Sequence, residues 1–108
     1  MLARAHRLRH THDIVTTLRR GTRRSAGSVS AVYLSKPAPV RATVIVDKKV
    51  SKRAVVRNKI KRRMRALLRE QLPESGDLVV RAFPGAEKVP FPDLKQQLTT
   101  CLRGSVRS

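Results

Sequence analysis

The stretch from Arg53 to Leu72 constrains this chain most, because it writes two opposed surfaces into one helical period. At ~100° per residue, Val56, Ile60, Met64 and Leu67 fall within roughly 40° of one direction, with Leu68 at the margin. Such a stripe has to be buried against a second layer of structure. Asn58, Lys61, Arg62, Arg65 and Arg69 crowd the other side within an arc of roughly 100°. Like charges three and four residues apart repel by about a few tenths of a kcal/mol per pair. Glu70 lies on another side, so the fold must carry a helix whose outer face only a polyanion would relieve.

Strand signals flank this helix. Arg41 to Asp47, centred on Thr43-Val44-Ile45-Val46, is the strongest, and Val29 to Leu34 alternates loosely ahead of it. Pro37 and Pro39 force a turn between the two, which are expected to pair as a hairpin. Asp77 to Ala82 predicts a third strand, closed by Pro84 and Gly85. Near the start, Thr11 can cap a helix from His12 to Arg20, with Asp13 in its first turn and Gly21 ending it. Thr22 to Ser28 reads as a mobile basic loop. Pro92 suits the first turn of a last helix that buries Leu94, Leu98, Cys101 and Leu102. The expectation is one α/β (α+β) sandwich over residues 1–108, in the order helix, two strands, helix, strand, helix. A loosely held basic arm occupies residues 1–10 and a tail residues 103–108.

Charge narrows the function. With 25 Lys and Arg against 7 Asp and Glu, the 108 residues carry a net +18, which self-repulsion makes unfavourable for an isolated compact chain. Nucleic acid, with closely spaced phosphates that release counterions on binding, is the matching partner; a membrane surface is the weaker competitor. No apolar run reaches bilayer length, and the first residues lack a secretory core. The lone Cys101 agrees with a reducing compartment such as the cytoplasm. With no Trp, one Tyr and two Phe, the chain lacks the aromatic supply that single-strand stacking platforms normally use, and backbone and shape contacts should dominate.

The basic side chains are therefore the candidate site. Lys48, Lys49, Lys52, Arg53, Arg57, Lys61, Arg62, Arg65 and Arg69 can meet phosphates, arginine in a bidentate fork, and Asn58 suits a base edge or ribose hydroxyl. His6, His10 and His12 include one i,i+4 spacing, but zinc would want a third ligand, and these histidines more simply add to phosphate contacts. The seven acids are scattered without paired spacing, so neither a metal site nor an autonomous protein active site is expected. Cys101 fits a core position; Tyr33 and Phe83 could stack on bases, but near strand ends each fits the core at least as well.

Arg57-Asn58-Lys59-Ile60-Lys61-Arg62-Arg63-Met64-Arg65, preceded by Lys48-Lys49, resembles the signature of the bacterial ribonuclease P protein subunit. Arg7-Leu8, the helix with Asp13, Gly21-Thr22, and Asp77 to Ala82 followed by Pro84-Gly85-Ala86 extend the resemblance over nearly the whole chain. It implies that the basic helix joins parallel strands by a left-handed crossover, against the usual right-handed rule. It also implies two RNA surfaces. The basic helix and its preceding loop would hold a catalytic RNA. A cleft between the first helix and the sheet would hold the 5′ leader of precursor tRNA, with Arg7, Ile14, Leu18, Val29, Val32 and Tyr33 as its candidates. Where that family usually presents aromatics to the leader, this chain has Ile14, Leu18 and Val29. The resemblance further implies cleavage by the RNA with Mg²⁺, and a cytoplasmic, monomeric protein that raises substrate affinity. A ribosomal protein and an autonomous nuclease are the competing readings.

Overall fold

The computed structural model describes residues 7–106. Three helices, α1 (Thr11–Arg20), α2 (Ala54–Arg69) and α3 (Phe91–Val106), accompany strands β1 (Thr22–Ala26), β2 (Val29–Pro39), β3 (Arg41–Val46) and β4 (Ser75–Ala82). The strands form one mixed sheet in the order β1-β2-β4-β3. β1–β2 and β2–β4 are antiparallel, whereas β3–β4 is parallel and α2 supplies the crossover between them.

The two-layer α/β arrangement follows from alternation along the strands. Val29 and Ala31 of β2, Ala42, Val44 and Val46 of β3, and Leu78, Val80 and Ala82 of β4 point to one face. There they meet Ile60, Met64, Leu67 and Leu68 of α2 and Leu94, Leu98, Cys101 and Leu102 of α3. The stripe expected on α2 is thus the one buried, with Val56 partly buried at its margin. Cys101 is a core thiol, its Sγ donating to the Val29 carbonyl at 3.4 Å, and burial pushes its pKa up. α1 packs on the other face, where Thr17 and Val32 have no exposed surface.

Several expectations change. Thr22 to Ala26 is an edge strand, not a loop: it pairs fully with β2 yet leaves four of its five side chains exposed. β2 and β3 do not form a hairpin, because β4 lies between them; the chain crosses the start of β4, pairing Pro39 with Ser75 and then Arg41 with Asp77. β2 runs through both prolines, tolerated where the ladder shifts register between Leu34 and Pro39. Thr11 is the first helical residue of α1 rather than its cap; His10 takes that place without a side-chain bond. At the termini, Leu8 is buried and donates to the Ala42 carbonyl at 2.9 Å, so residues 7–10 are held, and residues 103–106 continue α3. The remainder of the arm and tail, with His6, lies outside the described residues.

One ionic knot fastens the crossing. Asp77, 1 % exposed, accepts from Arg41 Nε at 3.1 Å and Nη2 at 3.0 Å and from Lys36 Nζ at 2.7 Å. Arg41 also reaches Asp13 of α1 at 3.3 Å. Burial works to raise the Asp77 pKa, but donation from Arg41 and then Lys36 overcomes it and holds the carboxyl below its ordinary value. The same bond to Asp77 is the main reason Arg41 is shifted up, against its own desolvation.

Candidate nucleic-acid interface

α2 begins after a loop shaped by its own side chains. Asp47 Oδ1 accepts from the Lys49 amide at 2.9 Å, and Val50 folds back to the Asp47 carbonyl at 3.1 Å with its side chain buried. Lys48 and Lys49 are left on the outside of this turn, with Lys52 and Arg53 exposed after it. Arg57 has a different task from the one its residue type suggests: Nη1 donates to the Ser51 carbonyl at 2.9 Å and the Lys52 carbonyl at 3.1 Å. It clamps the loop to the helix and so sets where the lysines stand.

Beyond Arg57 the outer face opens. Asn58, Lys61, Arg62 and Arg65, joined by Val55 and Lys59, line a groove of about 520 Å³ whose walls all come from this one helix. It is a furrow between long cationic side chains, not a hole in the core. Among the described residues, no carboxylate pairs with Lys59, Lys61, Arg62 or Arg65. Four of the seven acids are committed elsewhere: Asp13 and Asp77 to Arg41, Asp47 to Arg81, Glu70 to Lys95. Arg69 is exposed at the far end of the same helix. Sequence reading missed Val55, 72 % exposed at the head of the groove, and Lys59. The signal for Val55 was its position three residues before Asn58, off the core stripe.

The second expected surface is assembled only in part. Ile14 and Leu18 are half-buried on α1, Arg7 is exposed where it bridges to Ala42, and Val32 lies on the α1 face of the sheet but fully buried. Val29 and Tyr33 do not join them. Alternation along β2 puts both on the opposite face, where Val29 is wholly inside the core and Tyr33 packs against it, its hydroxyl donating to the Ser75 carbonyl at 2.6 Å. A residue offset of one along a strand exchanges faces, so a cleft beside α1 has to be built from the other set. His10 and His12 are exposed, and among the described residues no three His, Cys, Asp or Glu side chains converge as a metal site. Among the described residues, no helix is long and apolar enough to cross a membrane.

A basic helix returning to a mixed sheet as the link between parallel neighbours is also what known proteins show. The family model described as Ribonuclease P matches residues 2–105. This chain belongs to the ribonuclease P protein family. It is 40 % identical to the ribonuclease P protein component of Kocuria rhizophila, covering 99 % of this chain and 97 % of that one. It is 39 % identical to the corresponding component of Streptomyces avermitilis, covering 95 % and 94 %. Two solved structures share the fold. One is a Staphylococcus aureus RNase P protein mutant with defective mRNA degradation activity, with TM-score 0.83, 22 % identity, and 92 % and 86 % of the two chains covered. The other is the Thermotoga maritima RNase P protein in complex with 1-(4-fluorophenyl)-2-thiourea, with TM-score 0.80, 23 % identity, and 90 % and 97 % covered. As a ribonuclease P protein component, the chain is a subunit of the endoribonuclease that processes the 5′ end of tRNA, and RNA is its partner.

Proposed function

We propose that the outer face of α2, together with Lys48, Lys49, Lys52 and Arg53, anchors the catalytic RNA, and that the sheet face beside α1 receives the 5′ leader of precursor tRNA. The observation that carries this reading is the furrow of Asn58, Lys61, Arg62 and Arg65, cationic along its length and without acidic partners among the described residues. Phosphates entering it relieve the repulsion stored on the helix and release counterions, so binding and electrostatic relief reinforce each other. Arg7, Ile14 and Leu18 remain the leader candidates; Val29, Val32 and Tyr33 serve as packing beneath that surface.

Chemistry belongs to the RNA in this reading. Mg²⁺, held by the RNA rather than by this chain, would supply activation of the attacking water and stabilisation of the leaving oxygen. Asp13, Asp47, Glu70 and Asp77 are engaged in ion pairs, and the chain's cations neutralise phosphates that would otherwise repel each other, so that substrate and metal bind more tightly. The protein acts as a monomer in the cytoplasm, one copy per catalytic RNA.

Reconstitution tests this directly. Purified protein added to a ribonuclease P RNA should lower the Mg²⁺ needed to cleave precursor tRNA and tighten precursor binding, while the protein alone leaves the precursor intact. Metal-dependent cleavage by the protein alone, or ribosomal RNA as its main copurifying species, would overturn the reading.

A further inference from the structure

Phe83 is an aromatic ring that the core does not use. It stands one residue beyond β4, held by its amide to the Ser28 carbonyl at 2.8 Å, and it lies outside the buried cluster that takes its neighbour Ala82. Arg81 shares its side of the strand and lays its guanidinium over the ring, 5.5 Å from the centroid. Asp47, at the end of β3, approaches Arg81 Nη2 at 3.6 Å. In the ladder Arg81 sits between Ser30 of β2 and Ile45 of β3. The Ser30 hydroxyl is buried and has no hydrogen-bond partner among the described residues. All of these lie on the face of the sheet that α1 shares, away from α2.

We propose that Phe83 and Arg81 form a stacking site for one unpaired RNA base, with Asp47 accepting a hydrogen bond from the base's amino edge. The inference rests on the chain being an RNA-binding subunit. A phosphate is the wrong ligand here: Asp47 already compensates Arg81 and would repel a second anion. A duplex is wrong too, since its base faces are covered, whereas an unstacked base offers a π-face to a ring or a guanidinium plane. The half-buried Phe83 and Arg81 present both kinds of plane together, pre-ordered by the cation–π contact.

The base can come from the precursor's leader or from the catalytic RNA, and two arms separate these sources. In the first, the reconstituted holoenzyme binds precursors carrying single abasic nucleotides along the leader. Phe83→Ala should weaken binding of the intact precursor by about 5- to 10-fold, the low end for a stacked base. Phe83→Trp should preserve it, and at one abasic position Phe83→Ala should have no further effect. In the second arm the protein binds catalytic RNA without precursor; a loss there with Phe83→Ala that Phe83→Trp restores assigns the base to that RNA. Phe83→Leu keeps the apolar bulk without a π-face and guards against a folding defect. If folded Phe83→Leu matches wild type in both arms, or Phe83→Ala changes neither, the stacking site is overturned. A wild-type protein that fails to stimulate precursor cleavage would instead refute the reading of function on which the proposal stands.

Discussion

Replacing Arg65 by glutamine should move stability and binding in opposite directions. Arg65 stands three residues from Arg62 and four from Lys61 and Arg69, so three like-charge neighbours lose a repulsive partner. Gln and Arg have nearly equal helix propensity, which isolates the charge. At about 0.2–0.5 kcal/mol per pair, the RNA-free Arg65→Gln protein should gain about 0.6–1.5 kcal/mol at low salt, less as salt screens the pairs. Binding should fall, because one phosphate contact is lost: the slope of log affinity against log salt should shrink by about 0.9. Removing Lys61, Arg62 and Arg65 together should shrink it by about 2.7, so the affinity deficit at 50 mM salt should narrow by about 40-fold at 200 mM. Urea titrations of the free protein at both salt concentrations, and filter binding to the catalytic RNA across the same range, read the two effects. Stability and binding falling together would show that Arg65 supports packing; an unchanged slope would show that the face is merely solvated.

Two further outcomes follow from the knot and the first turn. Arg41→Met strips Asp77 of its two-nitrogen partner while Lys36 remains, so it should cost about 3 kcal/mol near neutral pH, the low end for breaking a buried pair. Because the folded Asp77 pKa is depressed, the stabilisation is complete above the ordinary carboxylate value of about 3.9 and lost as pH falls through the lower folded value. The variant and wild type should therefore converge in acid denaturation, and a gap independent of pH would refute the assignment. Gly21→Ala would place a methyl 2.6 Å from both the Thr17 carbonyl oxygen and Val32 Cγ1, and should destabilise by about 1–3 kcal/mol in thermal or urea melts. An unchanged melt would show that α1 can shift on the sheet.

The parts legible in the sequence were those whose signal is local. α2 declared both its faces within one continuous run, and the buried side of α3 showed in Leu94, Leu98, Cys101 and Leu102. β1 was illegible because it is an edge strand with exposed side chains: Thr22, Arg23, Arg24 and Ser25 bury nothing, so no alternation marks them. Their strand state comes from the ladder to β2, a long-range property of the pair. Strand neighbours were illegible for a related reason. β2 and β3 are almost continuous in sequence, but β4 carries the more apolar two-sided surface and takes the interior position between them, with residues 76–80 all buried. The same uncertainty of register sent Val29 and Tyr33 to the wrong face. On α2 the residue types pointed to phosphate throughout, and only geometry could show Arg57 spent on the Ser51 and Lys52 carbonyls.

The interior position of β4 also sets a timetable for the growing chain. β1 and β2 can pair as soon as they leave the ribosome, but β3, bridged along one edge by residues 7 and 8 at Ala42, has among the described residues no partner strand until one made after the whole of α2. Until then the apolar side chains of β3 and the inner stripe of α2 have only an incomplete surface to settle on, while the most densely cationic segment of the molecule is already in solution. The protein therefore meets the cell's RNA as a half-built sheet with its positive helix exposed. An anion that settles there early would quiet the repulsion along α2 during the interval in which the last strand is still awaited.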